Sequence, residues 1–266
     1  MVRRTLRLEK LSLFHDVSPF RICLNLMVPC LAFGLSLNRR LMPVMVSFYV
    51  LAGVLFILWL GYPIANISFG IMVAIHSASG LYFLNHLEPD QALGKRVAFS
   101  LAIMFVISQL IYVPVLNQVE KHLVIPLQMK GNVIVVKSYA SLQSAQRGDW
   151  VVYRANGNVG MGYGIDRVLG VAGDRIHFTP ESLLVNNVVY PRAAYMPLSG
   201  ELVVPENQLF VWPASVNLQV HGPGVENQAT RLLMQNAMVP ERRFVGKPFD
   251  RWFWRRQNFN EPFQQS

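Results

Sequence analysis

Apolar residues fill the first half of the chain in long runs and the second half in short ones. Four long runs stand out, at 22–37, 42–60, 63–84 and 97–116. A helix needs about 20 apolar residues to cross a ~30 Å hydrocarbon core. The last three runs meet that length. The first has sixteen residues with Pro29 inside it, and as a helix it reaches only about 24 Å. It is expected to lie in the interface, or to span with help from residues 18–21. Only Gly61 and Tyr62 part the second and third runs, which predicts a tight helical hairpin. From residue 125 the pattern shortens to strand-like runs: Val133–Lys137, Trp150–Arg154, Gly164–Val171, Arg175–Phe178, Leu183–Tyr190 and Gln208–Trp212. Gly, Pro and Asn punctuate them at short intervals, as in a mostly-β domain. Asn186-Asn187 between apolar pairs is a hairpin signal. The predicted fold class is therefore a multi-pass α-helical membrane region, residues 1–120, followed by a mostly-β domain, residues 124–250. A tail, residues 251–266, closes the chain.

Composition sharpens this division. The chain is 52% hydrophobic and 15% charged, against about 25% charged in an ordinary soluble domain. Residues 1–120 hold only 9 Lys+Arg and 5 Asp+Glu. The formal net charge is +9, but the basic residues are scattered or flank apolar runs and form no block. That placement points to the headgroups of a lipid bilayer and away from nucleic acid. In the tail, Trp252, Phe253 and Trp254 sit among arginines. They suit either a membrane–water interface or a strand packing its aromatics on the domain. Cys23 and Cys30 are seven residues apart in the first run, about 10 Å along a helix and too far for a disulfide. No cleavable signal peptide is expected. The first run begins after 20 residues, is followed by Asn38-Arg39-Arg40 and has no small-x-small site. No His/Cys/Asp spacing suggests a metal site and no cofactor is expected.

Topology follows from the basic residues. Arg3, Arg4, Arg7, Lys10 and Arg21 place the start in the cytoplasm; Arg39, Arg40, Lys95 and Arg96 place the loops after runs one and three there too. Three spans, with the first run interfacial, satisfy both and put the β domain outside the cytoplasm. His76 in the third run has two open readings: a proton-carrying group, or a histidine bonded to a neighbouring helix.

Five fragments then fall in one order. Gly148-Asp149-Trp150-Val151-Val152-Tyr153 resembles a "G-D-x-V-V-F" strand. Residues 165–174, Ile-Asp-Arg-Val-Leu-Gly-Val-Ala-Gly-Asp, resemble "I-K-R-V-V-G-L-P-G-D". Leu184-Val185-Asn186-Asn187 is similar to "L-Y-V-N-G", and Val204-Pro205-Glu206 with Leu209-Phe210-Val211 to "V-P-E-G-x-x-F-V". Val239-Pro240-Glu241 with Phe244-Val245-Gly246-Lys247 resembles a closing "V-P-x-x-x-I-V-G-K". These are segments of bacterial signal peptidase I, and residues 124–250 resemble that family. The resemblance implies a membrane-anchored serine endopeptidase with an extracytoplasmic β fold, at the bacterial inner membrane. Its Ser nucleophile is activated by a Lys general base kept neutral by burial.

At the catalytic positions the chain departs from that pattern. The family's "I-P-S-x-S-M-x-P-T" begins here as Ile125-Pro126, but Leu127-Gln128-Met129-Lys130 follows, and the next strand starts at Gly131. The serine loop is missing. Asp166 stands at the general-base lysine position, and Pro213-Ala214-Ser215 replaces the late "G-D-N-R-x-x-S-x-D-S-R" box. Asp166 either fills the vacated pocket and pairs with a cation such as Lys130 or Arg167, or is a surface acid on an altered loop. Lys137 and Ser138 are strand neighbours pointing oppositely, His177 shares a strand face with Arg175, and Gly157–Gly164 reads as a hairpin tip. The expected function is peptide binding or scaffolding without hydrolysis, in a groove with Ile125, Pro126, Met129, Lys130 and Arg167, for an extended peptide or membrane protein partner. An active endopeptidase with displaced catalytic groups is the alternative, and a transporter or lipid-binding bundle centred on His76 is a third.

Overall fold

A computed structural model describes residues 24, 27–34, 40–87, 92–129, 132–156, 162–214, 224–257 and 259. The chain divides into two compact units, Met1–Gln118 and Val119–Ser266.

The first unit is helical. A single turn, α1 (Leu31–Gly34), precedes α2 (Leu41–Leu58) and α3 (Pro63–Leu87). Then α4 (Leu93–Ile107) runs through a π-helical turn, Ser108–Tyr112, into α5 (Val113–His122). Three segments among the described residues are long and apolar enough to cross a membrane: Leu41–Leu58, Pro63–Tyr82 and Gly94–His122. The sequence offered four runs. Of the first, residues 24 and 27–34 are described, and they include the single turn α1. The predicted α2–α3 hairpin forms, with four residues, 59–62, between the helices rather than two. Gly61, at φ 82°, supplies the left-handed turn after α2, and Pro63 opens α3, where a missing N–H costs nothing. The π turn has a local cause as well. Pro114 has no N–H, and its ring crowds the carbonyl four residues back, so the preceding turn widens.

Burial in this unit runs against the usual order. Ala52 is the one buried residue of α2, because lipid is as good a solvent for Leu and Val as protein is. Polar side chains are what α3 hides: Ser68, His76, Ser77 and Ser79 are all 4% exposed or less.

The second unit is built on antiparallel strands. These are β1 (Val124–Met129), β2 (Asn132–Lys137), β3 (Trp150–Arg154), β4 (Tyr163–Gly170), β5 (Arg175–Phe178) and β6 (Ser182–Val185). They continue with β7 (Val188–Pro191), β8 (Gly200–Val203), β9 (Gln208–Val211), a helix α6 (Val225–Ala237), then β10 (Met238–Pro240), β11 (Phe244–Pro248), β12 (Arg251–Trp252) and β13 (Arg255–Arg256). Seven strands form one sheet in the order β1-β2-β11-β3-β4-β9-β10; four form a second, β7-β6-β5-β8; β12 and β13 pair as a ribbon. Central β3 and β4 are covered on both faces, which is why Trp150–Tyr153 and Val168–Gly170 read as short apolar runs. By contrast β5 is covered on one face: Ile176 and Phe178 are buried, Arg175 and His177 exposed. Asn186 and Asn187 adopt φ of 46° and 69° and close the β6–β7 hairpin, the positive pair a type I′ turn needs.

Three apolar clusters fill this unit. One joins the second sheet to α6 through Ile176, Phe178, Leu183, Phe210, Trp212 and Leu233. Another gathers Val151, Tyr153, Val168, Leu209, Val211 and Val239. The third holds Leu127, Ile134, Val136, Val152 and Ile165, with Ile125, Met129, Trp150, Val245 and Phe259 packed against them. The tail returns to the sheet. The Val135 N–H donates to Gln257 Oε1 at 3.0 Å, and the Phe259 ring lies 5.1 Å from that of Trp150.

Candidate functional site

Asp166 lies in the middle of β4 and is 1% exposed. It is not a surface acid on a loop. A buried carboxylate needs a donor, and the Tyr153 hydroxyl donates to its Oδ2 at 2.8 Å. Register explains the reach. Val151 faces Asp166 across the β3–β4 ladder and Tyr153 faces Gly164, so the tyrosine must lean diagonally over Gly164. A Cβ at Gly164 would stand 2.5 Å from the Tyr153 ring; only glycine lets the ring lie flat there. Behind the ring, the Arg243 guanidinium sits 5.7 Å from its centroid. Arg243 donates to the Arg154 carbonyl at 2.9 Å and to Asn236 Oδ1 at 2.9 Å. Burial lowers its pKa from the ordinary arginine value, partly opposed by Tyr153.

Arg167 points away from Asp166 along the strand. Adjacent residues of a strand point to opposite faces, and the Arg167 guanidinium lies 5.4 Å over the Trp150 ring. The structure brings Trp150 together with Ile125 and Met129 in one cluster and leaves Asp166 on the other side of β4. Pro126 alternates with Ile125 along β1 and faces away from that cluster. Lys130 lies outside the described residues.

The groove residues nonetheless share an edge. β1 is the terminal strand of the seven-stranded sheet. Val135 spends both backbone groups away from β1: its N–H goes to Gln257 and its carbonyl accepts from Phe249 N–H at 2.9 Å. Its partner in the β1–β2 register is Pro126. By the alternation of antiparallel ladders, Ile125, Leu127 and Met129 bond to β2, while Val124, Pro126 and Gln128 turn their backbone outward. Pro126 offers only a carbonyl there, as an edge strand tolerates. Gln128 offers an N–H and a carbonyl.

Lysine and serine do not meet among the described residues. Lys247 donates to Asp149 Oδ2 at 2.6 Å and lies 3.4 Å from the Ser144 carbonyl, not its hydroxyl. Lys137 stacks 4.8 Å over Phe249. The Ser138 hydroxyl is buried without a partner. Asp149 is pulled two ways. Burial raises its pKa, but the hydrogen bonds from Lys247 and the Gln146 N–H, with the charges of Lys247 and Lys137, outweigh it and hold the carboxyl below its ordinary value. Asp174 behaves alike, with Arg147, the Val171 N–H and Asn186 overcoming burial. No group of three His, Cys, Asp or Glu among the described residues is placed to hold a metal.

Residues 91–217 match the family model of signal peptidase, peptidase S26. The chain carries a signal peptidase I-like domain. The match takes in the last candidate span and every strand from β1 to β9, so the signal peptidase-like part includes a candidate membrane span as well as most of the strands. It stops short of β11, where the sequence also resembles the family. No curated protein matches the chain.

Tyr153 and Arg243 do not stand out in the sequence of the signal peptidase-like domain. One signal points to Tyr153: a glycine two positions before a strand aspartate, opposite a tyrosine across a hairpin. Arg243 and Asn236 carry no such mark: Arg243 reaches Tyr153 from the turn before β11, and Asn236 on α6 bonds to Arg243.

Proposed function

We propose that this signal peptidase-like protein binds extended peptides at the surface of the bacterial inner membrane and does not hydrolyse them. The observation that carries the reading is the state of Asp166. At the position where the resemblance puts a neutral, proton-accepting lysine stands a buried carboxylate already bound by the Tyr153 hydroxyl. A carboxylate held this way has become part of the sheet's own wiring. The free edge of β1 supports the binding half of the proposal. It presents the alternating outward groups through which an extended chain adds as a further strand. Three candidate spans, with the basic residues 39, 40, 95 and 96 on the cytoplasmic side, support a position outside the cytoplasm for the signal peptidase-like domain. Phe253 and Trp254, at the tip of the β12–β13 ribbon, meet the lipid interface.

The test uses the full chain in detergent micelles with a signal-bearing preprotein and a fluorescent peptide of its signal segment. No cleavage product should form, and the peptide should bind saturably. Gln128→Pro removes the outward N–H without touching the β1–β2 ladder. It should weaken binding by about 2- to 10-fold, the worth of one hydrogen bond. Cleavage that disappears in a serine variant would establish instead the peptidase with displaced catalytic groups.

A further inference from the structure

A second buried polar chain lies in the helical unit and owes nothing to the peptidase resemblance. A serine in an apolar helix usually satisfies itself, and Ser77 does so by donating to the Val73 carbonyl at 2.7 Å. His76 instead reaches a different helix. Its Nδ1 lies 3.2 Å from the Tyr112 hydroxyl, and that hydroxyl lies 2.9 Å from the hydroxyl of Tyr49. Three helical segments thus supply one residue each: α2 gives Tyr49, α3 gives His76, and the π turn gives Tyr112. A π turn inserts one residue and rotates the remainder of the helix, and such turns recur at functional sites. Here it carries Tyr112, 8% exposed, into contact with Phe69 and His76, with ring centroids at 5.5 and 5.8 Å.

We propose that Tyr49, Tyr112 and His76 form an intramembrane proton-binding site, with His76 as the acceptor and the two tyrosines as a switchable hydrogen-bonded wire. The wire has two settings. In the first, Tyr49 donates to Tyr112 and Tyr112 donates to His76 Nδ1. In the second, Nδ1 carries a proton and donates to Tyr112, which turns its own proton toward Tyr49. Binding one proton converts the first setting to the second by rotating two hydroxyls. No bond between heavy atoms changes, and the imidazole gains the one positive charge the proton brings. Tyr49 is only half-buried on α2, whereas His76 is 1% exposed.

The charged groups on the helices that form the site are few. Neither α2 nor α3 contains Asp, Glu, Lys or Arg, α4 has only Lys95 and Arg96, and α5 has Glu120 and Lys121 near its end. Along the helix Lys95 and Arg96 lie about 24 Å from Tyr112, Glu120 and Lys121 about 12–14 Å, and the histidines His86 and His122 lie about 15 Å from His76 and Tyr112 on their own helices. Cys30, buried beside α1, is close enough to act electrostatically on Tyr112. Ser79 sits one helical turn from His76 on the same face of α3. It is 0% exposed, and its hydroxyl has no partner. An orphan hydroxyl in hydrocarbon is costly, and one beside a histidine is a third dipole ready to solvate the imidazolium. The Tyr112 hydroxyl can donate to Nδ1 or accept from it, so the site can fill and empty.

The experiment is a titration of the full chain in lipid nanodiscs with labelled histidine, the His76 resonance assigned by His76→Asn. His76 should change charge between pH 5 and pH 9. Tyr112→Phe should lower its midpoint by about half a pH unit or more, by removing the acceptor for Nδ1–H. Tyr49→Phe should shift it the same way by less. Helicity by circular dichroism should be unchanged in both variants, which separates the effect from unfolding. A His76 locked in one charge state across this range, or a midpoint that neither variant moves, would overturn the proposal and leave a histidine that only ties helices together.

Discussion

The two units of this chain solve the burial problem in opposite directions. In the β unit, Val151, Val152, Val168, Phe210 and Val211 are fully hidden, and water drives them there. In the helical unit, Phe48, Val50, Phe105 and Leu110 are each more than half exposed, while His76 and Ser79 are hidden. Lipid leaves apolar side chains no reason to turn inward and gives polar ones every reason to. Yet each unit centres a polar contact on a buried tyrosine, Tyr153 with Asp166 and Tyr112 with His76. The first is a carboxylate fixed by the sheet around it. The second is a base at the end of a chain that can reverse. The same side chain locks in one setting and switches in the other.

The largest expected effect tests the locked site. Gly164→Ala puts a methyl group against the Tyr153 ring. The ring must move off Asp166, adding a poorly satisfied buried carboxylate to the steric cost. We expect a loss of about 2–3 kcal/mol. Because the chain has two units, one melting curve will not report it cleanly; hydrogen exchange read peptide by peptide will. Amides of β3 and β4 should lose protection while those of α2 and α3 keep theirs. Equal loss in both units would show that they do not fold separately.

How much of this is legible in the sequence differs between the units for the same physical reason. Spans announce themselves by length and hydropathy, so runs two to four fall within a few residues of α2, α3 and the helix from Leu93 to His122. β3 is equally plain as a short apolar run, and β5 and the β6–β7 hairpin are plain because their burial follows strand periods and Asn-Asn turn chemistry. β1 is hidden by Pro126, which argues against a strand unless the strand is an edge, and α6 by a sequence with few apolar residues. Asp166 draws notice only by resemblance. Its Tyr153 partner depends on a cross-strand diagonal, which no local pattern encodes.

A smaller effect comes from acid. Asp149 and Asp174 are held below ordinary carboxylate values in the folded β unit. The unfolded chain, with carboxyls near 3.9, therefore binds more protons than the folded one as pH falls past that value. The stability these groups lend is complete above about pH 4 and is lost as pH drops through their folded values. α2 and α3 contain no carboxylate. Between about pH 4 and pH 2 the β unit should therefore lose exchange protection first. Asp174→Asn should lower its stability at pH 7 by about 1–2 kcal/mol and flatten the acid slope. An acid slope unaltered in that variant would mean that other groups set it.

The smallest effect concerns the one place where the β unit is expected to behave like the helical one. Phe253 is 54% exposed and Trp254 62% exposed at the turn between β12 and β13. Arg251, Arg255 and Arg256 flank them. Water disfavours two large exposed rings side by side, while an anionic interface takes the rings among its headgroups and the arginines against its phosphates. Phe253 is in a left-handed conformation, φ 54°, strain that a ring-presenting turn accepts. Trp254 is one of five tryptophans, so Trp254→Phe removes about a fifth of the emission. If the tip meets lipid, the fraction quenched by brominated acyl chains should fall with it in nanodiscs of anionic lipid, and thermal stability should stay within about 0.5 kcal/mol. If quenching is unchanged, the rings face water or protein, and the reversed burial stops at the end of the helices.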